Sequence, residues 1–372
     1  MTAPLRVLVL NERDPRHPKA GGAELHVHEI FRRLAGRGVD VTQLVSRFPG
    51  CAAHEELDGV RLRRLGGLAT YYPRVALACA RETHRGRYDV VVECLNKVPF
   101  YSPVYSAVPV LAICHHLFGE VAFAQVAWPL ASAVWTAERL IPPLYRECSI
   151  LSISESSRDE LIARGLPAER IRVSYCGIDR PATDANTETP RKPVVTYLGR
   201  LEAYKNVDVM LRAMALLSDR FPDARILVIG RGGAQARLEA LASELGIADR
   251  TRFTGFVTDE ERDALLAETR VCVCPSEKEG WGLTVIEANA AGTPVVARDA
   301  PGLRESVRHG QTGFLVGEPS PRLFAERIGQ LLDDDAISIS MSRDALAWSK
   351  KFDWDIAARE MLEAIEETRG RR

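Results

Sequence analysis

The chain has 372 residues, 49 Lys and Arg against 50 Asp and Glu, and a formal net charge of −1. That length exceeds one ordinary core and implies two domains, and the balanced charge provides no field that favours nucleic acid or demands an anionic membrane. The composition, 46% hydrophobic and 27% charged, is that of a soluble globular protein, and its eight scattered cysteines lack metal-ligand spacing and read as reduced thiols of a cytoplasmic protein.

Short β-rich runs alternate with amphipathic helices, the pattern of α/β domains with parallel sheets. The opening "MTAPLRVLVLNE" carries no cleavable signal pattern and yields a first strand over residues 5–10. "KAGGAE" then opens a helix whose apolar positions Ala23, Val27, Ile30, Phe31 and Leu34 share one face, ended by Gly36 and Gly38. Gly21 and Gly22 let backbone approach a ligand, and the helix N-terminus beyond them offers free N–H groups to an anion; an ordinary tight turn explains them equally well. The run is not the GxGxxG of dinucleotide binding, which weighs against an oxidoreductase. Strands follow at "VDVTQLVS", "YDVVVECLN", "VPVLAICHH", "SILSIS" and "RIRVSY". His115 and His116 end the third of these runs. A histidine there is placed to hydrogen-bond a ligand bound beyond the strand end. Adjacent residues at a strand end point apart and no third ligand is evident, so no metal is expected, and one of the pair reads as a packed structural histidine. The apolar run at 121–137 is interrupted by Gln125 and Pro129 and falls short of the roughly eighteen residues of a spanning helix, leaving a buried or membrane-surface helix.

"DRPATDANTETPRKP", residues 179–193, is polar and without period and reads as a linker between an N-terminal domain (1–178) and a C-terminal domain (194–352), with a final helix at 353–372. The second series of strands is "VVTYLGR", "RILVIGRG", "TRFTGFV", "VCVCPS", "TPVVA" and "GFLV". Two doubly wound domains in tandem imply a cleft, with ligands beyond the carboxyl ends of the strands. Arg200 and Lys205 share the loop after the first of these strands. Together they suit a diphosphate, the guanidinium binding two oxygens and the ammonium adding a point charge; alone they are solvated loop cations. Gly230, Gly232 and Gly233 in "VIGRGG" read either as a turn permitting close approach of a nucleotide or as a plain glycine turn. "TGFV" is placed to present the backbone of Phe256 and Val257 to a base, with the Phe256 side chain expected in the core. The strand "VCVCP" leads to Glu279, then to Gly280 and Gly282 on either side of Trp281. A helix is predicted from Leu283 to Ala291, stopped by Gly292 and Pro294. Glu287 falls about one turn inside it. Carboxylates at these two places can accept from sugar and ribose hydroxyls, while the turn N–H groups and helix dipole face a phosphate. A capping Glu279 with a structural Glu287 is the alternative; the cations Arg200 and Lys205 favour a nucleotide sugar.

The Glu-x7-Glu of "EGWGLTVIEANAAGTPVVA", with "GGAE", "GRLEAYKN", "VIGRGG" and "APGLRESVRHGQTGFLV", resembles the retaining glycosyltransferases of family four (glycosyl transferases group 1), and the resemblance covers nearly the whole chain. It implies the GT-B architecture: two Rossmann-like doubly wound α/β domains facing each other across a cleft. It implies transfer of a sugar from a UDP- or GDP-linked donor to a hydroxyl of a glycan, glycolipid or small molecule, with retention and with neither cofactor nor metal. By resemblance Arg200 and Lys205 contact the diphosphate and Glu287 the ribose. Glu279, with the backbone of Gly280 to Gly282 and the adjoining Leu283, contacts the donor sugar. Gly21 and Gly22 approach the phosphate from the other domain, Gly230, Phe256 and Val257 complete the nucleotide set, and His115 matches the active-site histidine. The final "FDWDIAAREMLEAI" helix is placed to cross back to the first domain. Trp281 replaces the more usual Phe, Asn289 stands where Met or Gln is common, and Glu202 is an extra acid near the cations. Acceptor recognition falls to the first domain's loops at 71–74, 96–105 and 118–139. The resemblance fits polysaccharide biosynthesis in the cytoplasm, with peripheral contact at the inner membrane face. The rivals are a sugar-nucleotide epimerase of GT-B fold and a non-catalytic nucleotide-sugar-binding subunit.

Overall fold

The computed structural model describes residues 4–67, 70–95, 98–117, 119, 128–181 and 185–371. The chain divides into two compact units, Met1–Gly177 with Asp353–Arg372, and Ile178–Phe352. The first unit contains β1 (Arg6–Leu10), β2 (Asp40–Val45), β3 (His54–Leu57), β4 (Val60–Arg64), β5 (Val90–Leu95), β6 (Val110–Cys114), β7 (Ser149–Ser152) and β8 (Ile171–Val173). They form one sheet in the order β3-β4-β2-β1-β5-β6-β7-β8. Its central strands are largely apolar because they are buried on both faces; Leu8, Leu10, Val91 and Leu111 are all fully buried, and so is the one carboxylate of β5, Glu93. Among the described strands β3 alone runs antiparallel, to β4. The two are joined through Asp58 (φ 50°) and Gly59 (φ 80°), the two-residue hairpin turn with both central residues left-handed.

The helix Trp354–Arg369 completes this first unit against the helix Gly22–Gly36. Asp355 meets Arg37 at 3.0 Å and Arg33 at 3.6 Å, and Ser174 Oγ donates to Glu360 at 2.7 Å. Gly177 lies so close to the returning chain that a Cβ there would stand 2.2 Å from Trp354 N.

The second unit contains β9 (Val194–Leu198), β10 (Arg225–Ile229), β11 (Thr251–Gly255), β12 (Val271–Cys274), β13 (Val295–Arg298) and β14 (Gly313–Val316). All are parallel, in the order β11-β10-β9-β12-β13-β14. Successive strands spread to one side of β9 and then to the other, so β9 and β12 lie side by side at the reversal, where such sheets take their ligands. The 179–193 segment is anchored at its end. Arg191 donates to the carbonyls of Ala291 (2.6 Å), Leu266 (3.2 Å) and Thr269 (3.1 Å), and to Thr293 Oγ1 (2.7 Å). Burial brings its guanidinium down to about 10.

Of the apolar run at 121–137, residues 121–127 lie outside the described residues. The remainder belongs to the helix Trp128–Glu138, with Trp128 73% exposed. Among the described residues no helix is long and apolar enough to cross a membrane. The expected acceptor loops fare differently. Residues 96, 97, 118 and 120–127 are outside the described set. Tyr71 opens a helix and is buried, its one hydroxyl proton held between the carbonyls of Asn11 and Leu44, which is a packing role. All eight cysteines are free thiols.

Candidate functional site

The loops after β9 and β12 are about seventy residues apart in sequence but neighbours in space, because their strands pair. Glu277 N–H donates to the Tyr204 carbonyl at 3.0 Å, and Asn206 Nδ2 donates to the Pro275 carbonyl at 3.3 Å. Lys205 Nζ donates to Glu279 Oε1 across this junction, with side chains 13% and 17% exposed. Burial works to lower the Lys205 ammonium, but the Glu279 carboxylate beside it carries it above its ordinary value. Tyr204 lies between the two cations. Arg200 is exposed and its Nη2 donates to the Tyr204 hydroxyl at 3.3 Å, while Lys205 Nζ stands 5.1 Å from the ring centroid. Glu279 is fixed from behind: its N–H donates to the Pro301 carbonyl at 3.1 Å, and a Cβ on Gly302 would fall 2.4 Å from its carbonyl oxygen.

The glycines of "VIGRGG" face the protein. A Cβ on Gly230 would sit 2.0 Å from the Gly199 carbonyl oxygen, and one on Gly232 would sit 2.3 Å from that of Leu201. Their close approach is to the loop that carries Arg200 and Lys205. Only Gly233 faces open space. Phe256 corrects an expectation: it is 74% exposed, outside the core, with the Arg231 guanidinium 5.4 Å from its ring centroid. The turn ends on Val257, half-buried, ahead of Thr258, which caps the helix Asp259–Glu268. The Phe side chain lies outward just past β11, the edge strand of this sheet.

Trp281 is 2% exposed and packs edge-on to Phe352 at 5.1 Å. Only the backbone of Gly280–Trp281–Gly282 is therefore offered at the N-terminus of the helix Leu283–Ala290, where Gly282 adopts φ 95°. Gly280 and Leu283 are half-buried beside it. Asn289 is fully buried and donates back to the Val285 carbonyl at 2.7 Å, a helix-internal role. Glu287 points elsewhere, to Arg262 Nη1 at 3.1 Å. Burial pushes its carboxyl above the usual range against the pull of that guanidinium.

The remaining predicted residues belong to the first unit. Gly21 is half-buried and Gly22 exposed. Gly21 N–H donates to Glu24 Oε2 at 2.8 Å, so a side chain takes one of the free donors of that helix N-terminus. His115 is 4% exposed, and His116 is half-buried. His115 Nε2 lies 3.0 Å from His26 Nδ1, the rings edge-to-face at 5.0 Å, and His26 lies 6.0 Å from the Trp354 ring. Burial, aided by His116, pushes His115 down to about 3, and burial holds His26 well below its ordinary value. The pair is neutral near pH 7 and shares one proton between the facing nitrogens.

Lys205 and Glu279 are thus in contact, Arg200 reaches them through Tyr204, and Gly230 supports their loop. Glu287 touches none of the three. Sequence reasoning missed Tyr204, Arg262 and His26. The last carried a signal: His26 falls on the same face as Ala23, Val27 and Ile30, a polar ring inside an apolar stripe.

Residues 20–180 match the family model described as Glycosyltransferase Family 4, and residues 179–348 match that described as Glycosyl transferases group 1. The chain is 38% identical over 396 residues to the D-inositol 3-phosphate glycosyltransferase of Corynebacterium diphtheriae, covering 94% of this chain and 90% of that protein. Against three other corynebacterial proteins of the same name it matches over less: the chain spans about half of their length, 55%, 50% and 50%. Among solved structures it superposes on sucrose-phosphate synthase (tll1590) from Thermosynechococcus elongatus with TM-score 0.80 and 23% identity, covering 98% of both chains. On Anabaena Alr3699/HepE, solved with UDP and glucose, the TM-score is 0.75 and the identity 22%, over 97% of this chain and 99% of that one. At these identities the structural likeness establishes the GT-B fold.

Proposed function

The chain belongs to the family 4 glycosyltransferases of GT-B fold, and from that premise we propose that it moves a sugar from a nucleotide-diphosphate donor to an acceptor hydroxyl with retention of configuration. The observation that carries this reading is the Lys205–Glu279 contact at the strand-order reversal. A half-buried cation suited to a phosphate lies there beside a carboxylate suited to sugar hydroxyls, just ahead of the helix that holds Glu287. Arg200 and Lys205 meet the diphosphate, Glu279 and the backbone of 280–282 the donor sugar, and Glu287 the ribose.

In the proposed step the acceptor oxygen bonds to the anomeric carbon as its bond to the diphosphate oxygen breaks. The acceptor proton passes to the departing phosphate on the same face. The protein supplies positioning and charge stabilisation. Arg200, Lys205 and the helix N-terminus neutralise the leaving group, so the reading includes no divalent ion. His115, neutral and hydrogen-bonded to His26, serves as a hydrogen-bonding group for the sugar or acceptor; its depressed basicity makes it a poor proton acceptor. The acceptor to try first is D-inositol 3-phosphate, named by the Corynebacterium relatives.

Incubation with UDP- and GDP-sugars, with and without acceptor, followed by mass spectrometry and proton NMR of the first-formed product, tests the proposal. Transfer with the donor's anomeric configuration, undiminished by EDTA, is expected. A product of opposite configuration overturns the mechanism. A C2-epimerised donor identifies an epimerase instead, and binding without turnover a non-catalytic subunit.

A further inference from the structure

Arg262 stands on the helix Asp259–Glu268, outside every loop singled out for the diphosphate, yet its side chain is 15% exposed and meets Glu287 directly. Nη1 donates to Glu287 Oε1 at 3.1 Å and to Asp259 Oδ1 at 2.8 Å, and Nε donates to Asp263 Oδ1 at 2.9 Å. The two aspartates therefore hold the guanidinium where it reaches the carboxylate. Among the described residues Oε1 is the Glu287 oxygen that is hydrogen-bonded, leaving Oε2 free to accept. The charged and titratable groups facing Glu287 are Arg262, Asp259 and Asp263 from this helix, Asp179 from the segment ahead of β9, and the Cys272 thiol from β12. Three acids and one guanidinium surround a carboxyl that is 17% exposed. Burial and the acids favour its protonated form; Arg262 opposes them. A protonated Glu287 would lose part of its accepting capacity and become a hydrogen-bond donor, a poor match for a pair of hydroxyls.

We propose that Arg262 is a positioning residue of the nucleotide site: it holds Oε1 of Glu287, keeps the carboxylate ionised, and leaves Oε2 directed to a ribose hydroxyl. This rests on the reading that Glu287 meets the ribose. Arg262 itself need not touch the donor. Its effect passes through Glu287, so it must vanish when Glu287 is removed.

The test uses the full chain with Arg262→Leu, Arg262→Lys, Glu287→Gln and the Arg262→Leu/Glu287→Gln double variant. Two readouts are taken: the carboxyl carbon-13 titration of Glu287, assigned by its loss in Glu287→Gln, and calorimetric affinity for UDP and GDP across pH. Arg262→Leu is expected to raise the Glu287 midpoint, and to weaken nucleotide binding at pH values below the variant's midpoint with recovery above it. Arg262→Lys restores most of both, and the double variant binds no worse than Glu287→Gln alone. An unchanged midpoint and an unchanged affinity profile in Arg262→Leu overturn the proposal, as does an equal loss at every pH that persists in the Glu287→Gln background. The ribose reading is judged separately. If the parent protein binds a 2′,3′-dideoxy nucleotide as tightly as the ribonucleotide, Glu287 does not meet the ribose, and the midpoint still decides whether Arg262 governs Glu287.

Discussion

Gly230→Ala and Gly233→Ala lie three residues apart in one glycine motif, and the structure gives them opposite outcomes. A Cβ on Gly230 would stand 2.0 Å from the Gly199 carbonyl oxygen, where contacts below 3.0 Å essentially do not occur, so one loop must yield by about 1 Å. Gly230 also has φ +126°; holding a side chain in such a conformation costs on the order of 1–3 kcal/mol. The shift strains two ladder-end bonds, Gly199 N–H to the Ile229 carbonyl (3.0 Å) and Gly230 N–H to the Gly255 carbonyl (2.9 Å), each worth about 1 kcal/mol net. A loss of about 3 kcal/mol follows, roughly 6–12 °C in the melting temperature of a unit this size. The displaced loop carries Arg200 and Lys205, and a 1 Å misplacement costs about 10²-fold in turnover. At Gly233 a Cβ meets nothing within 4 Å, and the change is expected to stay within about 0.5 kcal/mol. Thermal unfolding by circular dichroism and steady-state transfer rates read both. A Gly230→Ala protein with parental melting and turnover would refute the reasoning. So would a Gly233→Ala protein that folds normally but loses nucleotide affinity, since the motif would then face the ligand.

Lys205→Met and Glu279→Gln should each cut transfer by about 10²–10³-fold, and together by far less than the product, because they form one contact; multiplicative losses in steady-state kinetics would separate their roles. Glu287→Gln should weaken nucleotide binding about tenfold by calorimetry, since an amide accepts from hydroxyls less strongly than a carboxylate, and unchanged affinity would make Glu287 structural. His115→Ala should lower transfer while sparing affinity for the bare nucleotide, because His115 belongs to the first unit. His115 and His26 also set a pH dependence. Both are depressed below 6.5 in the folded state, so the unfolded chain binds more protons as pH falls. Their contribution to stability is complete above about pH 6.5 and is lost as pH drops toward about 3, and denaturant melts of His26→Phe should show a shallower acid slope than the parent.

Both sheets were legible because their buried strands, such as "RVLVL" and "VCVC", are uninterrupted apolar runs bounded by turn residues. The strands that escaped notice are β3 and β4. "HEEL" is a charged edge strand with no apolar run, although the Asp58–Gly59 pair between them is itself a hairpin signal. Glu279 and Lys205 were legible because each lies on a loop that directly follows a strand, where side chains serve ligands more than packing. Their partners were harder. Arg262 sits near the start of its helix among acids and looks like any solvated i, i+3 pair with Asp259; that it reaches Glu287 depends on how two helices pack. Phe256 was misjudged because an aromatic after a strand usually packs inward, and β11 happens to be the sheet edge.

The first unit is built from two stretches of chain separated by the whole of the second. During synthesis the ribosome therefore releases the second unit, an unbroken run of sequence, before the first can be finished. Until residues 354–369 emerge, the face of the Gly22–Gly36 helix that holds His26 lacks its Trp354 cover. The nascent first unit must wait half-dressed, with apolar surface for a chaperone to hold. A stop codon or frameshift that removes only this last helix would thus damage the half of the protein that was translated first.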